Sequence, residues 1–160
     1  MTIRPIRELG DPVLRTPADE VRAFDRELAA LVRDLEETVD NPGRAGVAGP
    51  QIGVSLRVFA YNVDGVIGHM VNPRIVESSE ETQDGDEGCL SIPGIWAPTV
   101  RAMHAVAEGF DVSGEPLRLE GTGLMARALQ HEVDHLDGKV FIDRLTGEAR
   151  KTALRALRDR

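Results

Sequence analysis

Apolar positions recur along this chain with two periods, and the period tells helix from strand. From Asp25 to about Asn41, residues Leu28, Leu31, Val32, Leu35 and Val39 keep the i, i+3, i+4, i+7 spacing of an amphipathic helix. Asp25 is placed to cap its start, and Asn41-Pro42-Gly43 ends it. A second helix is expected to run up to Gly138, with Thr122 as its cap; Leu124, Ala128, His131 and His135 share one of its faces. A third is expected over 147–158, capped by Thr146, with Ala153, Leu154 and Leu157 on one face. Between the helices the pattern shortens to strand alternation: 55–61, 65–75, 99–106, 107–112 and 117–120, with the turn 113–116 closing a hairpin. Pro5, Gly10 and Pro12 make 3–15 an extended arm with turns, and 139–143 is a short apolar run. The acidic stretch 77–87 reads as turn-rich and partly solvated.

Composition narrows the class. The 160 residues (17.4 kDa) suit one domain, expected over 1–160, with enough chain for a real core. Aromatics are only 4%, so that core is mostly aliphatic. With 19 basic and 27 acidic residues the net charge is −8, which argues against DNA as a partner and against any broad nucleic-acid footprint. One local basic patch, Arg150, Lys151, Arg155, Arg158 and Arg160, stands apart from this trend. The single cysteine, Cys89, excludes an intrachain disulfide and suits a reducing compartment. Residues 1–7 hold no apolar leader, and no run approaches the ~20 apolar residues of a membrane span. A cytoplasmic protein without membrane contact is expected.

The chemistry concentrates in three stretches. His131-Glu132-Val133-Asp134-His135 puts two imidazoles one helical turn apart on one face, able to share a metal ion. Glu132, one step round the helix, can reach a water bound to that ion as general base. The competing reading is a pair of surface histidines. The second stretch, 43–53, is rich in small residues and ends in a polar amide at Gln51. Its glycine spacing does not fit a phosphate loop, which leaves a close-approach substrate edge or a plain flexible loop. In the third, Cys89 follows Glu87 and Gly88. It can be a small buried hydrophobe, a third metal ligand beside His131 and His135, or a nucleophile with a histidine base.

Taken together, Gly46-Val47-Ala48-Gly49-Pro50-Gln51, Glu87-Gly88-Cys89-Leu90-Ser91 and Gln130-His131-Glu132-Val133-Asp134-His135 resemble, in order and spacing, the three signature motifs of peptide deformylases. Gly10-Asp11-Pro12-Val13-Leu14-Arg15, Asn72-Pro73, Ser91-Ile92-Pro93-Gly94 and His135-Leu136-Asp137-Gly138 extend the resemblance over nearly the whole chain. It implies an α+β fold with mixed or antiparallel sheets around a central helix carrying both histidines, and a C-terminal helix outside. It implies hydrolytic removal of formyl from N-formylmethionyl nascent peptides, with one divalent ion, Fe2+ in the cell, or Ni2+, Co2+ or Zn2+.

Carried over residue by residue, the resemblance makes Cys89, His131 and His135 the metal ligands and Glu132 the proton carrier. It makes the Gln51 amide and the Leu90 N–H the oxyanion donors, and Ala45 and Gly46 the backbone that pairs with substrate. Leu124, Ala128 and His131 would line the methionine pocket, with the stem of Arg127 beside them and its charge in water. The family also suggests a monomer that touches the ribosome near the exit tunnel through the basic C-terminal helix. Two positions depart from the pattern: Arg44 stands where the first motif usually has Gly, and Gly49 where it has a second Ala. Two rival readings are an endopeptidase taking its third ligand from Asp137, Asp143, Glu148 or Asp159, and a silent peptide- or ribosome-binding relative.

Overall fold

The computed structural model describes residues 3–160; Met1 and Thr2, the start of the leader-free N-terminus expected above, lie outside the described residues. Strand β2 (Val58–Val63) sets the layering. Its Val58 and Ala60 join Leu28, Leu31, Leu35 and Val39 of helix α1 (Arg26–Val39) in one apolar cluster. Phe59, one residue out of phase, turns the other way and packs with Leu129, Val133 and Leu136 of helix α2 (Leu124–Leu136). Val47 and Ala48 of β1 (Gly46–Ala48), and Val71 and Met70 of β3 (Val66–Ser78), divide between the two helices in the same way. Period-two alternation thus buries both faces of the sheet, one under each helix.

With β6 (His104–Phe110) and β7 (Pro116–Thr122), these strands form a five-stranded antiparallel sheet in the order β1-β2-β3-β6-β7. A separate two-stranded sheet pairs β4 (Thr82–Cys89) with β5 (Ile92–Ala102). Ile92, Ile95 and Ala97 of β5 pack on Phe141 and Ile142, and on Ala153 of helix α3 (Gly147–Arg158). The result is the expected α+β arrangement, with antiparallel sheets around α2 and α3 on the outside. No helix among the described residues is long and apolar enough to cross a membrane.

Several local expectations are corrected. The stretch 77–87 is not a solvated turn region, since most of it is β4, paired with β5 from Thr82↔Ala102 to Gly88↔Trp96. Its acids mislead because Asp84 and Asp86 occupy the exposed face while Glu87 and Cys89 are buried; cross-strand pairing outweighs the poor strand preference of Asp and Gly. The break between β5 and β6 falls at Met103, not after Val106. The small-residue loop contains β1 and a 3₁₀ helix over Gly49–Ile52, and the arm contains another over Pro12–Arg15. Asp25 does cap α1, accepting from Leu28 N–H at 3.0 Å. Thr122 does not cap α2: it ends β7, and Gly123 (φ +58°) turns the chain into the helix without a side-chain cap. Thr146 precedes α3 as expected, but its hydroxyl makes no capping bond. Leu154 is 42% exposed, so Ala153 and the half-buried Leu157 carry the packing of α3.

Phe59→Ala should cost about 3–5 kcal/mol of folding stability, because a fully buried ring between β2 and α2 leaves a cavity. Leu154→Ala should stay within about 0.5 kcal/mol. Urea unfolding of both variants checks the contrast.

Candidate active site

Helix α2 has two working faces. Leu129, Val133 and Leu136 press on the sheet, which turns His131 and His135 toward the end of β4. There the β4–β5 register shifts at Cys89, which pairs with Ile92 across a tight turn. The shift aims the Cys89 thiol at the helix. Cys89 Sγ lies 3.3 Å from His135 Nε2, and the two histidine Nε2 atoms are 3.2 Å apart. The three ligand atoms all fall within 4.8 Å of one another.

These separations fit a metal ion. Tetrahedral bonds of about 2.0–2.1 Å to nitrogen and about 2.3 Å to sulfur give edges of about 3.4 Å (N–N) and about 3.6 Å (N–S). His131 Nδ1–H donates to Glu87 Oε2 at 2.6 Å, which fixes its tautomer and leaves Nε2 free as a ligand. Burial alone would push the Cys89 thiol up, but the charge and hydrogen bonds of His135 and His131 hold it well below its usual range, as thiolate. Burial should likewise strip His131 of its proton, yet bonds to Cys89 and Glu87 and the charge of Glu132 hold its proton affinity well above normal.

Glu132 is buried beside this centre. Burial raises its pKa, against the lowering influence of the two imidazoles. Its Oε1 has no protein partner among the described residues, while Oε2 lies 4.0 Å from His131 Nε2. A carboxylate with raised proton affinity and a free lone pair is suited to take a proton from a water. Gly46 abuts it: a Cβ there would fall on the Glu132 carboxylate and displace it. Gln51 Oε1 accepts from Ala48 N–H at 2.9 Å. That bond points the amide Nε2 into the site, 3.2 Å from Ser91 Oγ and 3.7 Å from Cys89 Sγ. Leu90 follows the cysteine at the turn.

These groups sit at the base of a cleft of about 760 Å³, lined by Ala45, Gly46, Gln51, Cys89, Leu90, Leu124, Arg127, Ala128, His131 and Glu132, among others. Every residue that the resemblance placed in the site lines it except His135, which is fully buried. Arg127 corrects an expectation, for its charge is not in water. Its side chain is 11% exposed, and Nη1 donates to Glu87 Oε1 (2.8 Å) and Thr99 O (2.9 Å). The four downstream acids of the peptidase reading are engaged elsewhere: Asp137 with Arg57, Asp143 with Arg15, Glu148 with Lys151 and Asp159 with Arg158. Of the two departures, Gly49 is required here, since a Cβ would come within 2.7–2.8 Å of the Leu56 and Val54 carbonyls. Arg44 donates to Thr38 O at 2.7 Å, closing the end of α1.

Sequence reasoning missed the ion network behind the ligands. Arg101, 5% exposed, donates Nε and Nη2 to Glu87 (3.0 and 2.6 Å) and Nη1 to Asp134 (2.8 Å). Asp134 is also gripped by Arg144 Nε and Nη2 (3.0 and 2.7 Å). Glu87 and Asp134 lie inside the second and third motifs, which was a usable signal; Arg101 and Arg144 carried none.

A thiolate, two imidazoles and a buried glutamate on a His-Glu-x-x-His helix, at the foot of a peptide-sized cleft, define a metal-dependent hydrolase. The family model described as polypeptide deformylase matches residues 3–151. A peptide deformylase of Acidothermus cellulolyticus is 61% identical over 159 residues, covering 99% of this chain and 88% of that protein. One from a Parafrankia species is 51% identical over 160 residues, covering 99% and 87%. The crystal structure of a peptide deformylase from Legionella pneumophila aligns with a TM-score of 0.90 at 40% identity, over 99% of this chain and 95% of that one. The chain belongs to the polypeptide deformylase family.

Burial pushes the Glu87 carboxyl up, but hydrogen bonds from His131 and Arg101 more than offset this and hold it far below the usual carboxylate range. A carboxylate so depressed stabilises the fold fully above its ordinary value of 4.5, and that contribution is lost as pH falls below it. Urea midpoints measured from about pH 6 down to about pH 3 should therefore drop, and drop less steeply in Glu87→Gln. Arg101→Ala should cost about 3–5 kcal/mol, because it leaves buried carboxylates unpaired.

Proposed function

We propose that this protein removes the formyl group from the N-terminal formylmethionine of new polypeptides and releases formate. The observation that carries the reading is the convergence of Cys89, His131 and His135 on one point, with Glu132 beside His131 and the Gln51 amide beside Cys89. Those three residues would hold a divalent ion, which would supply Lewis acidity and hydroxide near neutral pH. Glu132 takes the proton of the attacking water and delivers it to the departing amine, so formate and a free methionine amine leave. Negative charge develops on the formyl oxygen, and the Gln51 side-chain N–H and the Leu90 backbone N–H donate to it. The substrate backbone pairs with Ala45 and Gly46 along β1, whose outer edge has no strand neighbour among the described residues. The methionine side chain enters between Leu124, Ala128, His131 and the stem of Arg127.

The metal in the cell is Fe2+ in this reading, since a thiolate with two imidazoles suits a borderline-soft ion. The protein acts in the cytoplasm as a monomer, with α3 turned toward the ribosome near the exit tunnel. Arg155 is the exposed cation of that helix best placed for such contact, because Arg150 donates to the Ile142 carbonyl and Lys151 and Arg158 already face Glu148 and Asp159.

Formate release from formyl-Met-Ala-Ser by anaerobically purified protein, with metal counted per chain, tests the reaction. Glu132→Gln should abolish turnover with about one metal per chain retained, and Gln51→Ala should lower kcat by about 10²–10³. Metal bound without formate release overturns the reading. Exposure to air should inactivate the iron form faster than a nickel-substituted one, because ferrous ion and thiolate are both oxidisable. Equal decay of the two forms would count against iron.

A further inference from the structure

Strand β7 closes the five-stranded sheet at the end opposite β1, and no strand pairs with its outer side among the described residues. Its hydrogen-bonding phase follows from the bonds that bracket it. Asp111 N–H donates to the Glu115 carbonyl (2.9 Å) and Gly123 N–H to the Met103 carbonyl (3.0 Å). Both pairs continue the register that sets Ala107 opposite Leu119. Along an antiparallel ladder, pairs that exchange bonds alternate with pairs that do not. Leu117, Leu119 and Gly121 therefore direct their backbone groups to β6, while Arg118, Glu120 and Thr122 turn theirs outward. An open edge of this kind is a template for another strand, and charges usually guard it. Here the guarding charges alternate in sign. Arg118 and Glu120 are both half exposed and 3.0 Å apart, and His104 Nε2 lies 2.7 Å from the other oxygen of Glu120. On the opposite face Leu117 and Leu119 pack at the margin of the cluster under α2 and stay partly exposed.

Several antiparallel registers would join the outward groups of two such edges. Arg118 opposite Arg118, or Glu120 opposite Glu120, sets like charges face to face and is unfavourable. Arg118 opposite Glu120 pairs unlike charges, and a two-fold axis repeats the contact. In that register the two Leu119 side chains meet on the other face. Thr122 N–H meets the carbonyl of Pro116, the residue of β7 with no N–H of its own. We propose that β7 is a self-complementary edge through which two copies of this chain pair, joining their sheets across a two-fold axis. Two seven-residue edges fall short of the about 1,200–2,000 Å² buried by a stable interface, so the pairing is weak and sets in as concentration rises. The monomer remains the acting form in dilute solution. No residue of β7 lines the cleft, and β1, the edge assigned to substrate, stays free. The pairing holds whether or not the deformylase reading does.

Sedimentation equilibrium of the nickel-loaded protein, from about 10 µM to about 1 mM, tests the pairing. The average mass should rise from 17.4 kDa toward twice that value and not beyond it. Arg118→Glu and Glu120→Arg should each lower the association constant about tenfold, since each sets like charges opposite one another twice. Mixing the two variants should restore association, because the unlike chains now complement each other. The double variant Arg118→Glu/Glu120→Arg should restore it within one chain. Both side chains are half exposed, so urea midpoints close to that of the parent protein check that the variants fold. A mass that stays at 17.4 kDa throughout overturns the proposal. A dimer indifferent to both charge reversals pairs through another face and overturns it too, as does growth past the dimer. Formate release per chain should stay constant as the dimer forms; a falling rate overturns the open-cleft arrangement of the pair.

Discussion

Glu87 collects four hydrogen bonds on one buried carboxylate: from His131 Nδ1, from Arg101 Nε and Nη2, and from Arg127 Nη1. Arg101 passes the network to Asp134, and Asp134 passes it to Arg144 beside α3. The chain of charges therefore ties β4, β5, α2 and the 3₁₀ helix over Phe141–Arg144 to one another. In a low-dielectric interior each charge is tolerable only because its partners are present. That condition orients His131, and through it the whole ligand set. Specificity of geometry, more than net stability, is what such a network contributes.

Around that network the cleft is shaped by close approaches. Gly46 lets β1 lie against the Glu132 carboxylate, and Gly49 lets the following turn touch the carbonyls of Val54 and Leu56. The small residues of this stretch thus serve the packing of the cleft wall. The same logic explains Gln51, whose oxygen is tied down by Ala48 N–H so that its donor end points at the site. The three residues that could hold a metal come from a strand end and one helix face, both rigid elements, which suits groups that must keep their spacing through a reaction.

Local rules carried far in this chain. The stripe of Leu28, Leu31, Leu35 and Val39 and the cap at Asp25 described α1 nearly to the residue, because a helix is made of contacts three and four residues apart. The spacing of His131 and His135 placed two ligands on one face for the same reason. Strand β4 escaped, since its acids and glycines disfavour a strand until β5 is there to pair with it. Thr122 was an equally plausible cap by residue type, but β7 claimed it, and Gly123 made the turn.

The sequence by itself nominated the chemistry, a thiol, two imidazoles, a carboxylate and an amide, through residue type, short spacing and the resemblance of three motifs. Tertiary structure decided where each charge ends up. Arg127 looked like a solvated side chain, yet its guanidinium is buried on Glu87, forty residues away in the chain. Arg101 and Arg144, which no motif marked, proved to be the counterions of the motif acids. Ion pairing and desolvation depend on distances between segments remote in sequence, and only the folded chain sets those distances.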